Sequence, residues 1–398
     1  MQLDLTPEQL LLSDSVCDVL EAEYGMTSRQ ASIEHPEGCR PELWQRFVDL
    51  GWLMLPLPEE SGGLGGNMID LGIVMQAFGR KLVVEPYLAS AVVAGRLLAR
   101  IRDMQTDCWL ARMLNGDGRA VLAHSELDCA TPFTMPNCQA MRRSQSNKPD
   151  QDNWLLTGFK PLVSGAPGAT VLLVSARDEY GQTGLFGVAP DTSGLRLHGC
   201  RLSDGSHAAD LYLSQVPARR LGNKNGDHLP LVQYALAEAI VALCWEAHGT
   251  MRAALNGTAA YTGTRMQFGH PLSQFQVVQH RLGEMLVCCE EALAACQLAA
   301  LRIDSHPANL EVALDAALMA KNKVGRAARF IAQEAVQLHG AMGVCEELPI
   351  AAMFRKLTGF GQQFCSTGLA AAFFGRRQLA SGAWRGSQTL IGLSEMSS

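Results

Sequence analysis

The sequence predicts an α+β fold dominated by helix. It has an N-terminal helical domain at residues 1–116, a middle antiparallel β-barrel or sandwich at 117–222 and a C-terminal four-helix bundle at 223–398. Three observations carry this. Apolar residues recur at helical spacing before residue 115, the period shortens to that of strands up to about 220, and helical spacing then returns for the rest of the chain. Leu236, Ile240, Leu243, Ala247, Met251 and Leu255 mark one face of a single long helix, and short turns separate it from the apolar stripes that follow.

In the first zone, Thr6 followed by Pro7 and Glu8 reads as an N-cap with proline at the first helical position. Leu10, Leu11, Val16, Val19 and Leu20 supply that helix with a core-facing stripe. "RPELWQRFVDLGW" is a second amphipathic helix, "PLPEESGGLGGN" a loop, and "MIDLGIVMQAFGRKL" and "SAVVAGRLLARI" further helices. In the middle zone, "AVLAHSEL", "NWLLTGFKPLVSG", "ATVLLVSAR", "GLFGVAP" and "ADLYLSQVP" are short apolar runs bounded by Gly, Pro, Asp and Asn, which are strand signals. "NCQAMRRSQSNKPDQDN" is polar and reads as an exposed loop. In the last zone, two long helical patterns and two shorter ones from Glu346 follow the helix that starts near residue 229.

Apolar residues make up 47% and charged residues 18%, the balance of an ordinary globular protein. The net charge of −6 is dispersed, so no basic stripe for a nucleic acid exists. The first residues carry acids where a signal peptide needs a basic region, and no run reads as a membrane span, so a cytoplasmic protein is expected. Twelve cysteines include no CxxC pair and no Cys/His spacing suited to zinc. No metal is expected, and Cys288–Cys289 reads as small apolar packing inside a helix.

The familiar catalytic fingerprints are absent. "GGLGG" at Gly62–Gly66 lacks the spacing of a dinucleotide loop and follows no strand, and there is no Walker lysine, GxSxG elbow or HExxH. "HRLGE" at His280–Glu284 has the wrong order for a di-iron site. One stretch stands out. "RMQFGHPLSQFQ", Arg265–Gln276, ends the long helix with a cation and a glycine, which a helix C-terminus accepts for its own reasons.

Together with the helix–β–helix order, three segments resemble the acyl-CoA dehydrogenase family over nearly the whole chain. "LGWLMLPLPEESGGLGG" is similar to the family's "LGW…PEEYGGLG", "RMQFGHPLSQFQVVQHRLGEM" to its "R…FG.PI..FQ..Q..LA.M", and "QEAVQLHGAMGV" to its "Q..GG.G". The resemblance implies FAD as cofactor, α,β-desaturation of an acyl-CoA thioester, and electron-transfer flavoprotein as electron acceptor. It also implies residue roles. Arg265 pairs with the cofactor diphosphate across a subunit boundary, which suits a planar guanidinium. Phe268 packs on the cofactor, Gln276 lies toward the adenine, and Gln337 and Ala341 match positions that contact the partner's cofactor, Ala341 standing where glycine is common. In the β domain, Ser125 and Ser164 match hydroxyls at the flavin edge. Leu162 stands where a tryptophan is common, and "SELDCATPF" replaces the family's "TEP..GSD".

The largest departure concerns the base. The family's usual base is the Glu of "YEGT"; here Phe364, Cys365, Ser366 and Thr367 fill those places, with Thr367 keeping the Thr. A thiol of pKa near 8.5 is roughly a few per cent ionised at pH 7 and poorly replaces a carboxylate. Some members carry the base on the long helix, where the aligned residue is Ala239, with Glu238 beside it and Glu246 two turns on. No catalytic residue is therefore assigned. A family fold without its base resembles the small subunits of heterotetrameric acyl-CoA dehydrogenases of bacterial steroid and dicarboxylate degradation, in which a paralogous chain supplies the acid. A homo-oligomer with a relocated base, and a non-catalytic subunit that binds acyl groups or FAD, stand as alternatives.

Overall fold

A computed structural model describes residues 5–127, 131–143, 154–222 and 226–382. The N-terminal helices are α1 (Pro7–Glu23), α2 (Met26–Glu34), α3 (Pro41–Asp49), α4 (Met68–Lys81), α5 (Arg96–Ile101) and α6 (Met104–Leu114). Thr6 and Gln9 form a capping box on α1, and Asn67 and Asp70 form another on α4, each satisfying amides that a helix start leaves unpaired. The segment expected as the helix "SAVVAGRLLARI" is helical, but Leu88–Gly95 winds as a π-helix before α5 begins.

Strands β1 (Ala120–Ala123), β2 (Gln139–Arg142), β3 (Trp154–Ser164), β4 (Val171–Arg177), β5 (Thr183–Val188), β6 (Leu195–Arg201) and β7 (His207–Arg220) form one sheet. Pairing runs β4–β2–β3–β7–β5 and returns to β4, which closes a barrel; β1 and β6 attach to β4 and β7. The barrel is not purely antiparallel, because β1 and β2 both run parallel to β4. The segment expected as an exposed polar loop contributes β2 at Gln139–Arg142, and its residues 144–153 lie outside the described part. A register shift between Lys160 and Val163 bulges β3 and puts Leu162 at φ 47°.

The remaining elements are α7 (Leu229–Thr264), a small hairpin of β8 (Met266–Gln267) and β9 (His270–Pro271), α8 (Gln276–Ser305), α9 (Leu310–His339), α10 (Pro349–Phe360) and α11 (Thr367–Ser381). Helix α7 is the spine. It crosses α4 so closely that a Cβ on Gly79 would sit 1.8 Å from the Glu246 carbonyl oxygen, and one on Gly249 1.9 Å from that of Gln76. One core joins α1, α3, α4 and the bundle, and a second fills the barrel. Contrary to expectation, part of α7 is long and apolar enough to cross a bilayer, with mean hydropathy 1.3, but 72% of that window is buried in protein, as in a core helix.

Candidate cofactor surface and base position

Helix α7 ends at Arg265, whose backbone N–H donates to the Tyr261 carbonyl while its own carbonyl accepts from Leu272 N. The chain therefore turns back at once through the β8–β9 hairpin. The hairpin loop is Phe268–Gly269, with φ 51° and 80°. Positive φ at both loop positions matches the twist of a two-residue hairpin, and a bulky residue there is strained. Phe268 is 90% exposed at the tip, with Phe275 6.3 Å away edge-on. Phe268 thus combines a strained backbone with an exposed ring.

Beside the hairpin lies a surface cavity of about 290 Å³, lined among others by Arg265, Gln267, Leu272, Gln337, Ala341 and Met342. Tyr261 and His339 also line it, stacked with ring centroids 4.4 Å apart. Two segments more than seventy positions apart thus meet, and three of the residues singled out from the sequence share one cleft. Among the described residues, the Arg265 guanidinium has no hydrogen bond or ion pair. Phe268 and Gln276, the latter the first residue of α8, are exposed nearby but do not line the cleft. Tyr261, Gln267 and His339 were not marked by the sequence; nothing in their spacing distinguishes them. An unpaired guanidinium, two amide side chains and an open cleft suit a diphosphate chemically.

The barrel holds two further candidate residues, Ser125 and Ser164. Ser125 is exposed just after β1, between two anchored neighbours. Lys160, fully buried on β3, donates to the His124 carbonyl at 3.0 Å, Glu126 Oε1 at 2.7 Å and Ser175 Oγ at 3.3 Å. Glu126 also accepts from Asn137 N at 2.6 Å and Cys138 N at 2.9 Å. Burial alone would raise its carboxyl, but the Lys160 charge and these hydrogen bonds outweigh that and hold it below the usual range. His124 Nε2 lies 2.8 Å from the Pro132 carbonyl, so it carries the proton, and Nδ1 accepts from Ser175 Oγ at 2.7 Å. Ser164, half-buried, ends β3. Leu162, the tryptophan replacement, is exposed, its N–H donating to Asp210 Oδ1 at 2.8 Å.

This network has a measurable pH signature. Burial first, and then the charge of Lys160, push His124 down to about 4. Between that value and about 6.5, the unfolded chain binds more protons than the folded one, so stability rises with pH there and is flat above. Urea midpoints of the protein should fall from pH 6.5 toward 4, with His124 accounting for roughly 3 kcal/mol of the loss. His124→Gln should flatten that part of the profile; an unaltered profile would exclude His124 as its source.

At the base position, Cys365 is only 4% exposed, in the turn between α10 and α11. Its N–H donates to the Gln363 carbonyl at 2.9 Å, and the preceding Phe364 is held at φ 61°. Burial pushes the thiol up, opposed in part by Lys321. Thr367 opens α11 and packs so tightly on α9 that a Cβ on Gly325 would sit 2.3 Å from Thr367 Oγ1. Lys321, buried on α9, donates to the Phe360 carbonyl and lies 3.7 Å above the Phe360 ring. Burial lowers it to about 8. It thereby caps the C-terminal end of α10 with a cation, next to the turn that holds Cys365.

Neither acid considered as a relocated base is free. Glu238 is buried and bonded by Arg96 at 2.5 Å and by both terminal nitrogens of Arg100 at 2.7 Å. Burial raises its carboxyl, but the two arginines outweigh that and hold it below the ordinary range. Glu246 is paired with Lys356 at 2.7 Å and is also buried. Both acids are held in buried ion pairs, the ordinary helix-acid alternative to a relocated base.

The pattern of the acyl-CoA dehydrogenase N-terminal domain matches residues 6–117, and that of the C-terminal domain matches residues 229–360. An acryloyl-CoA reductase (NADH) of Anaerotignum propionicum is 26% identical over 89% of this chain and 90% of its own. The Tcur3481-Tcur3483 steroid acyl-CoA dehydrogenase superposes with a TM-score of 0.83 at 27% identity, over 95% of this chain and 99% of that one. The ChsE4-ChsE5 complex from Mycobacterium tuberculosis shares the fold, with a TM-score of 0.83 at 24% identity over 96% of this chain and 99% of that one. With its helix–barrel–bundle order and these matches to both helical domains, the chain belongs to the acyl-CoA dehydrogenase family of flavoprotein oxidoreductases, enzymes that act on CH–CH bonds.

Proposed function

We propose that this chain is one subunit of an FAD-dependent acyl-CoA dehydrogenase that desaturates a bulky acyl-CoA thioester, working with a paralogous chain that supplies the carboxylate base and passing electrons to electron-transfer flavoprotein. One observation carries the shared-cofactor part. Arg265 lies at the C-terminal end of α7, whereas Ala239 and the barrel loop lie toward its start. By the rise of 1.5 Å per residue, Ala239 and Arg265 are about 40 Å apart along the helix, farther than one dinucleotide stretches. The two groups of candidate residues therefore serve different cofactor molecules, and each molecule needs two chains.

In this reading bound FAD supplies the hydride acceptor for α,β-desaturation. Arg265 neutralises the diphosphate of a partner's cofactor, with Gln337 and Ala341 lining the same cleft and Phe268 and Gln276 reaching outward beside it. Ser125, held by the anchored His124 and Glu126, and Ser164 present hydroxyls toward the flavin edge, and Thr367 fixes the start of α11. Cys365, buried and protonated at neutral pH, takes no proton from the substrate, so the acid comes from the partner. The name of the similar steroid dehydrogenase and the two-protein neighbour favour a bulky acyl group and a heteromeric assembly.

Expression with and without the paralogous dehydrogenase chain tests this. The chain alone is expected to show no desaturation across a panel of straight-chain, dicarboxylic and steroid-side-chain CoA thioesters. Co-expression is expected to give a flavin-containing complex with turnover on the bulky members. Turnover by the chain alone, equal to that of the complex, would sink the proposal.

A further inference from the structure

The loop that replaces the family's "TEP..GSD" is fixed at successive backbone carbonyls. The Pro132 carbonyl accepts from His124 Nε2 at 2.8 Å, and the Phe133 carbonyl accepts from Gln233 Nε2 of α7 at 2.6 Å. Thr134 Oγ1 closes the turn on the Thr131 carbonyl at 2.9 Å. The Phe133 side chain is half-buried. Among the described residues it alone packs against three separate apolar clusters. One contains Val232, Leu236 and Ala239 of α7; another consists of Leu318, Cys365 and Ala370. Phe364, held at positive φ, packs against the first of these as well. The two positions at which an acid could act on an acyl group, Ala239 and Cys365, thus belong to two clusters bridged by one phenylalanine.

We infer that Phe133 is a steric plug that closes this chain's own acyl slot, so that the chain holds no thioester at its vacant base position. The inference rests on the subunit reading given above, and it explains why two carboxylate positions were free to become Ala and Cys. A slot filled by a side chain needs no base. Removing the ring while its carbonyl anchors remain leaves an apolar cavity between the two clusters, of the kind that takes a straight alkyl chain.

Cys365 reports on the plug without any need for activity. The full-length chain is treated with N-ethylmaleimide and the rate of modification is read at each cysteine by peptide mass spectrometry. In the unsubstituted protein, exposed Cys108 should react and Cys365 should not. In Phe133→Ala, Cys365 should react about tenfold faster, since thiol reactivity follows access. Octanoyl-CoA should slow that reaction in the variant. Phe133→Leu, which keeps most of the apolar contact, should stay within about twofold of the unsubstituted protein. Buried Cys244 of α7 is the control for general loosening. The plug is overturned if Cys365 already reacts like Cys108, if Phe133→Ala leaves it protected, if Cys244 accelerates in parallel, or if octanoyl-CoA gives no protection. None of these readouts involves a partner chain or turnover, so failure here leaves the co-expression result to judge the subunit reading separately.

Discussion

Glu238→Ala is expected to lower the unfolding free energy by about 3–5 kcal/mol, the cost of leaving buried charges without their partner. The carboxylate takes hydrogen bonds from Arg96 and Arg100, and Arg96 is itself nine-tenths buried, its Nε donating to the Pro56 carbonyl at 2.8 Å. Arg100 also lies 4.8 Å over the Tyr234 ring and cannot swing out without giving up that contact. The triad therefore ties α5, the loop before α4 and the first half of α7 into one unit. Glu238→Gln keeps the shape and should cost nearly as much, because both guanidinium charges remain. The pH dependence distinguishes charge from shape. The Glu238 carboxyl is held low in the folded state, so its contribution is present above the ordinary carboxylate pKa and disappears as pH falls through the folded value. Chemical denaturation at pH 7 should show the full gap between the natural protein and Glu238→Gln, and the gap should close in acid. A variant with unchanged stability and abolished turnover would instead return Glu238 to the reacting centre.

What could be read before the structure follows from how local each signal is. The helical spacing of Leu236, Ile240, Leu243 and Ala247 announces α7 because burial on one helix repeats within a few residues. The strand β2, "QAMR", buries Ala140 alone and so carries no alternation to find. The edge strand β6 was not marked by the sequence; only Leu195 and Leu197 on it pack against the barrel core, and the rest is mostly exposed. The parallel pairing of β1 and β2 with β4 joins segments far apart in the chain and leaves no mark on either one. Lys160 shows the same limit inside the site. On a strand a lone lysine reads as solvent-facing, and only barrel closure brings Ser175, Glu126 and His124 around its ammonium group. Arg265, by contrast, was visible because a family motif surrounds it, although its meeting with Gln337 and Ala341 depends on how α7 and α9 end side by side. The partners of the two acids on α7 could not be named from the sequence, because Arg96, Arg100 and Lys356 are all distant along the chain.

Arg265→Ala is expected to weaken FAD binding to the purified assembly by about 10- to 100-fold, while leaving the folded stability within about 0.5 kcal/mol of the natural protein. The two halves of that expectation have separate physical grounds. A charge-assisted hydrogen bond to a phosphate oxygen contributes roughly 1.5–3 kcal/mol, and a guanidinium offers two in the same plane. Stability should hold because the side chain is exposed and, among the described residues, unpaired; only its backbone groups close the end of α7, and alanine keeps those. If Arg265 served merely to complement the helix dipole, the pattern would invert, with a small loss of stability and full flavin content. Arg265→Lys should recover part of the affinity, since an ammonium group keeps the charge but not the planar fork. Titration of FAD into the deflavinated assembly, alongside urea unfolding of each variant, separates these outcomes. The same variant in the lone chain probes the division of labour between subunits. On the proposed shared-cofactor reading, loss of Arg265 should matter only in the assembled protein. An Arg265→Ala effect of equal size on a chain shown to be monomeric would place both halves of the cofactor on one polypeptide and overturn the shared-cofactor reading drawn from the length of α7.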